Sequence, residues 1–426
     1  MLSYPEMTKK ELENEFKNVC SEYEKLKHLG THLDMSRGKP GFDQMDLSDK
    51  IFDLVNHSKG FKNCEGTDCR NYGGLDGLIE LKYLFSQIMG INHSQIIVGG
   101  NSSLNMMFDT IAQGMTHGFC SDPWSKQGNI KFICPCPGYD RHFAICEYFG
   151  IEMIPVKNTE NGPDMDVIEQ LVQDEKVKGM WCVPKYSNPQ GITYSDEIVR
   201  RIAKLKPAAK DFRVFWDNAY AIHDLYKDGD TLLNIYDECV KNGTEDNVII
   251  FTSTSKVTFP GAGVAAEAAS PYNVSLLKKR MGFQTIGPDK LNQLRHSRMF
   301  PNLDALKLHM KKHAKIIRPK FEKVLSIFEN ELAGLQIAKW TNPKGGYFIS
   351  LDVLNGCAKR VETLCNDAGL VITTVGATYP YGKDPDDSNI RIAPTYPTLD
   401  EIEKAAHLLS VAVKYAALEK LIAKKQ

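Results

Sequence analysis

The 426-residue sequence contains no run approaching the roughly 18 consecutive apolar residues that a membrane-spanning helix needs. That absence argues against helical membrane spans. It also lacks an excess of either charge: 52 Lys and Arg stand against 53 Asp and Glu, a formal net charge of -1, so no basic field draws phosphate backbones or anionic lipid. Nucleic acid and membrane surfaces are therefore not expected partners. The eleven cysteines, an odd number, run from Cys20 to Cys365 without a single C-x-x-C pair, which fits neither a secreted disulfide framework nor a paired zinc site. No apolar signal-peptide core precedes the charged stretch Lys9 to Glu13, and no internal repeat or low-complexity tract is present. The expectation is a soluble, cytoplasmic protein with reduced thiols and no metal.

The composition is ordinary for a globular protein, with 42 % hydrophobic and 25 % charged residues. At about 150 residues per domain the length predicts two to three domains. Residues 8 to 29 carry Leu12, Phe16, Val19, Tyr23 and Leu26 among charges, the spacing of an amphipathic helix that Thr8 would cap. Five short apolar runs follow at 95–98, 131–134, 179–183, 212–216 and 248–251, alternating with helical patterns, and predict βαβ units with a mostly parallel sheet. Each run passes directly into polar, Gly or Pro residues, so the five loops collect at the carboxyl ends of the strands, where such folds bind ligands. A basic helical pattern over 304–330, a strand near Gly345 to Leu351, and helices at 361–368 and 399–421 predict a second α+β domain, to which the first helix docks.

Several residues at those loops carry chemistry. Lys256 ends a buried-type run; desolvated there, its amine has a lowered pKa and is able to form a Schiff base with a carbonyl group, though a lysine at a strand end is commonly a solvated charge. Asp217 follows Arg213-Val-Phe-Trp216, so its carboxylate needs a charged or hydrogen-bonding partner, and a pyridinium N–H is such a partner. The alternative is a helix N-cap. Tyr220 is three residues on. Asn188 sits in Ser187-Asn-Pro-Gln-Gly191, a rigid turn. Asn101, Ser102 and Ser103 precede a helical run, 104–115, whose free amides suit a phosphate, or whose start Ser or Asn simply caps. Arg391, in the strand-like Asn389 to Ala393, suits a carboxylate, bound or structural. Tyr139 offers a ring for stacking or core packing. Gly261-Ala-Gly-Val-Ala-Ala266 matches a dinucleotide pattern but lacks the strand before it and the acidic residue after it. His223 and the pair His309 and His313 have no Glu or Cys at metal spacing and are read as parts of solvated faces.

In chain order, N-P-x-G from Asn188, D-x-A-Y from Asp217, S-x-S-K from Ser253 and the late Arg391 resemble class I aminotransferases of fold type I, which depend on pyridoxal 5'-phosphate (PLP). Ser36-Arg-Gly-Lys-Pro40, Asn71 to Gly77, Pro137-Gly-Tyr-Asp-Arg-His142, Ile286 to Lys290 and Tyr381 to Asn389 extend the likeness to the bacterial type Ic aspartate aminotransferase subgroup over nearly the whole chain. The resemblance implies an α/β fold: a large domain with a mostly parallel, seven-stranded-type sheet sandwiched by helices, plus a smaller α+β domain. The segments expected are 1–55 packing with the small domain, 56–303 as the large PLP-binding domain, and 304–426 as the C-terminal small domain.

The resemblance also implies roles. Lys256 would hold PLP as an internal aldimine and shuttle the proton, Asp217 would keep the pyridine nitrogen protonated, and Asn188 and Tyr220 would bond the phenolic oxygen. Tyr139 would stack on the ring. Asn101, Ser102, Ser103, Ser253 and Ser255 would surround the phosphate, with Tyr72 contributed by the partner of a homodimer that shares its active sites. Arg391, Asn188 and the Gly38 backbone would hold the substrate α-carboxylate. One position departs from the family: residue 264 is Val where most relatives carry an Arg for the phosphate, leaving that charge to Thr258, a helix end or a lysine. The side-chain carboxylate of an acidic substrate needs a second cation, and Arg37, Lys39, Arg141, Lys185 and Arg295 are all placed near site loops. The implied reaction moves an amino group from L-aspartate to 2-oxoglutarate by a ping-pong route, with amino and 2-oxo acids as partners. Rivals are an aromatic or broad-specificity aminotransferase, a β-lyase or a decarboxylase on the same fold, a PLP-sensing regulator, and a dinucleotide-dependent oxidoreductase.

Overall fold

A computed structural model describes residues 2–30 and 32–425 of the chain. Its strands in chain order are β1 Leu33–Asp34, β2 Ile96–Val98, β3 Lys131–Cys136, β4 Glu152–Thr159, β5 Gly162–Pro163, β6 Val177–Cys182, β7 Arg213–Asp217, β8 Val248–Ser253, β9 Ala265–Ala269, β10 Ala338–Trp340, β11 Ile349–Val353, β12 Leu370–Val371 and β13 Asn389–Ile392. The large sheet has the order β2-β9-β8-β7-β6-β3-β4-β5. Its centre, β4, β3, β6, β7 and β8, is parallel, whereas β9 runs antiparallel to both β2 and β8. With the two-residue β5, which only turns back on β4, the sheet has eight strands where seven were expected.

The central strands are apolar on both faces because both faces are covered. Val214, Trp216 and Ile250 enter one core, and their neighbours Phe215, Ile249 and Phe251 enter the opposite one. Continuous apolar runs are thus the sequence signature of these strands. The strand β9, Ala265-Ala-Glu-Ala-Ala269, has no such signature.

A second core gathers the antiparallel sheet β10-β11-β13, the helix Ala358–Asp367, the long helix Leu399–Lys424 and the first helix, Lys9–His28. The first helix starts at Thr8, whose hydroxyl accepts from the Glu11 amide while the Thr8 amide donates to the Glu11 carboxylate, a reciprocal cap. Leu12, Val19 and Tyr23 face the core, and the Tyr23 hydroxyl donates to the Leu364 carbonyl at 2.9 Å. The 30-residue helix Leu303–Leu332 joins the two bodies: Leu306 and Met310 pack under the large sheet, while Ile317, Phe321, Val324 and Phe328 pack in the second core.

Candidate active site

The parallel strands deliver their loops to one edge, and the interactions there are specific. Asp217 is the last residue of β7 and only 3 % exposed. Its Oδ2 lies 3.0 Å from His142 Nε2, and the His142 ring stacks on Trp181 at 4.2 Å between centroids and 8° between planes. The other oxygen, Oδ1, is buried and has no hydrogen-bond partner among the described residues. The N-cap alternative does not hold, since the next helix begins at Ile235. A buried carboxylate oxygen left open is costly unless a donor meets it.

Lys256 stands beyond β8 with its Nζ 5.1 Å from the Tyr220 ring centre and 5.8 Å from that of Tyr347. No carboxylate pairs with it among the described residues. Burial lowers its pKa, and the charge of Asp217 acts in the opposite direction, so the amine is closer to its neutral, nucleophilic form. Tyr220 is buried and its phenol is pushed well above 10 by desolvation, with Tyr139, Asp217 and Tyr347 adding to the rise. Burial likewise pushes the Tyr139 phenol up to about 12. Both phenols therefore stay protonated.

Arg391 lies in β13 opposite Ser350 of β11 and is 8 % exposed. Its Nη1 donates to Asn188 Oδ1 at 3.2 Å and to Asp140 Oδ1 at 2.7 Å, and its Nε donates to Thr373 Oγ1 at 3.2 Å. Thr373 in turn donates to the Ser36 carbonyl at 2.7 Å, which binds the Ser36 to Pro40 segment to this site. Gly38 fits there because a Cβ would run into the Phe348 ring, which itself lies 5.2 Å from the Arg391 guanidinium. Asn188 is fixed by its turn: Gly191, at φ +67°, donates to the Ser187 carbonyl at 2.6 Å, and a Cβ there would meet Pro343.

The loops after β2 and β8 meet. Ser255 Oγ donates to the Asn101 carbonyl at 3.2 Å and Ser253 Oγ to Ser255 Oγ at 3.0 Å, while Asn101 Nδ2 reaches the Gly261 carbonyl at 3.3 Å. Ser102 caps the helix Ser103–His117. Thr258, one expected phosphate contact, is fully buried and bonds His296 Nε2 at 2.9 Å and the Thr254 carbonyl at 3.3 Å. It is thus held in the protein interior. Val264 is packed in the core with its amide on Thr254 Oγ1. The glycines 261 and 263 lead into a strand, not a helix, so the dinucleotide pattern has no helix N-terminus behind it.

Among the cations, Lys185 is paired with Asp224 at 2.9 Å and Lys39 lies over the Tyr396 ring at 3.8 Å. Arg37, Arg141 and Arg295 have no ion pair among the described residues, and Arg295 Nε is buried without a partner. Tyr72 is 80 % exposed.

Three histidines overturn their expected exposure. His223, His309 and His313 are all buried. His223 packs edge-on to Tyr220 and Tyr347, and burial, then the nearby Lys256 charge, keep it neutral. His313 Nδ1 meets Gln44 Nε2 at 3.2 Å, and the same amide nitrogen donates to the Tyr347 hydroxyl at 2.8 Å. His309 Nε2 lies 2.9 Å from the Val257 carbonyl. The sequence reading also missed Tyr347 and Phe348, whose only signal was the turn Gly345-Gly346 before a strand, and Thr373, which had none. Two wide clefts of about 920 and 1120 Å³ lie elsewhere, and neither is lined by Lys256, Asp217 or Arg391.

The profile of the family described as aspartate amino-transferase matches residues 7–425. The chain is 46 % identical over 407 residues to a putative aminotransferase of Mycolicibacterium smegmatis, covering 95 % of each. It is 43 % identical to the aspartate aminotransferase of Corynebacterium glutamicum, covering 94 % of this chain and 93 % of that one. The crystal structure of an aspartate transaminase from Corynebacterium glutamicum superimposes with a TM-score of 0.96 at 41 % identity, covering 99 % of both chains.

Proposed function

Since the chain belongs to the aspartate amino-transferase family and is an aminotransferase, we propose that it exchanges the amino group between L-aspartate and 2-oxoglutarate, using PLP held at Lys256. The aspartate aminotransferase of Corynebacterium glutamicum, 43 % identical, supports the substrate. The observation that carries the cofactor is the buried Asp217 Oδ1, open on one side and braced through Oδ2 by His142. An acceptor of that kind fits a ring N–H, and its fixed negative charge holds the proton there.

Bound PLP supplies an electron sink for the carbanion at the substrate Cα. The remaining work belongs to the chain. Lys256, with its pKa lowered by burial, offers a neutral amine for covalent attachment and then carries the proton at Cα. Tyr220 and the Nδ2 of Asn188, whose Oδ1 is turned to Arg391, donate to the phenolic oxygen. Tyr139 stacks on the ring. Asn101, Ser102 and Ser103 would donate to the phosphate, and Ser253 and Ser255 would join them by turning their hydroxyls from Ser255 Oγ and the Asn101 carbonyl. Arg391 binds the α-carboxylate beside Gly38, and Arg37, Arg141 and Arg295 are the unpaired cations for the side chain. In this reading the enzyme is a homodimer, and Tyr72 serves the partner's site.

The test is the absorption spectrum of the purified protein. L-Aspartate is expected to bleach the visible band of the lysine-bound cofactor, 2-oxoglutarate to restore it, and borohydride to fix the cofactor on Lys256. Initial rates at several concentrations of both substrates should give parallel double-reciprocal lines. A band that ignores aspartate but answers an aromatic amino acid removes the substrate assignment and keeps the cofactor.

A further inference from the structure

Arg391 is already engaged by a carboxylate of its own chain. An arginine binds a carboxylate best through two parallel N–H groups, using either the Nη1–Nη2 edge or the Nε–Nη2 edge. Each edge here has one atom taken: Nη1 by Asp140 at 2.7 Å and Asn188 at 3.2 Å, and Nε by Thr373 at 3.2 Å. Thr373 is buried and tied to the Ser36 carbonyl, and Asn188 is clamped in its turn. Asp140 is the movable partner. It opens the helix Asp140–Tyr148, its side chain is 35 % exposed, and Arg391 is its only side-chain partner among the described residues.

We infer that Asp140 is an internal competitor for Arg391, a carboxylate that occupies the substrate's place and must swing toward solvent when the α-carboxylate arrives. The inference rests on the reading of Arg391 as the carboxylate site. Asp140 is a positioning residue in this scheme: it neutralises Arg391 and aims it along Nη1 while no substrate is bound. Two carboxylates on one guanidinium edge repel each other, so the aspartate weakens the binding of every carboxylate ligand alike and hastens product release. Its position directly after Tyr139, the residue assigned to the cofactor ring, lets the two groups respond to substrate together.

The experiment uses the PLP-loaded enzyme and succinate, a dicarboxylate with neither amino nor oxo group. In Asp140→Asn the inhibition constant for succinate and the KM values for aspartate and 2-oxoglutarate are expected to fall about two- to fivefold, the scale of one partly exposed ion pair, with kcat moving less than either KM. Asp140→Ser, which keeps a good residue for a helix start, should repeat the fall, and Asp140→Glu should restore the parent constants. A succinate constant unchanged or raised in both Asn and Ser variants overturns the proposal. Arg391→Lys separates the two layers: it should weaken succinate more than tenfold, and if it does not, the reading of Arg391 fails and the role of Asp140 fails with it.

Discussion

At Asp217 much of the proposed chemistry rests on a single side chain. His142 and Trp181 hold one carboxylate oxygen still, and the other has no hydrogen-bond partner among the described residues. Replacing it by asparagine preserves shape and removes the charge that would keep a ring nitrogen protonated. Fixed charges aimed at developing charge in a dry site are worth about 10²- to 10³-fold each in kcat, so Asp217→Asn should lower kcat by that factor with a far smaller change in KM. Stopped-flow rates of the aspartate half-reaction check it, and a kcat within threefold of the parent sinks the role. At this scale the sequence was informative on placement, at Asp217, which ends β7, and at Asn188 and Lys256, in the loops after β6 and β8. It misled at His223, His309 and His313, read as solvated but in fact buried, because burial of a histidine depends on partners such as Gln44, whose contact with His313 spans 269 residues of chain.

The long helix Leu303–Leu332 carries His309 and His313 into the seam between the two cores, behind the Lys256 loop. Burial keeps His313 neutral, with its pKa lowered to about 3, and the neighbouring His309 pushes the same way. The unfolded chain takes up that proton near pH 6.5, so the folded state binds fewer protons below it and stability falls as pH drops from about 6.5 toward about 3. The slope is about 1.4 kcal/mol per pH unit for each histidine held neutral. His313→Asn should therefore be less stable at pH 7, through its lost hydrogen bonds, yet lose stability more slowly on acidification, by about one proton's slope between pH 6 and 4. Urea unfolding of both proteins across that interval gives the comparison, and parallel slopes contradict it. Elements with a local cause were legible in the sequence, among them the Thr8-capped helix and the apolar strands of the sheet. The strand β9 was not, since Ala265 to Ala269 favours a helix locally and becomes extended only by pairing with β2 and β8.

At the scale of the whole molecule, the proposed role of Tyr72 lies in a second copy of the chain. The loop bearing Tyr72 is anchored by Lys290, which donates to the Gly73 carbonyl at 2.6 Å, and Gly287 packs against the same carbonyl. Tyr72 is exposed next to this anchored loop, and Phe283 and Ile286, just before Gly287, are exposed as well. In a twofold dimer such a patch is covered by the same patch or its neighbour on a second copy, and Tyr72 would reach the phosphate of that copy. This predicts subunit complementation. Lys256→Ala and Tyr72→Ala chains, each inactive or strongly impaired alone, should form mixed dimers in which one of the two sites has both residues intact. Random assortment makes half of the dimers mixed, so about a quarter of the parent activity should return on co-expression or on joint refolding. Activity no higher than the mean of the two parents, with mixed dimers demonstrated by differential tagging, would place Tyr72 outside the catalytic centre. Light scattering that found only monomers would remove the shared site altogether, and would turn the exposed Phe283 and Ile286 into a surface for a different protein.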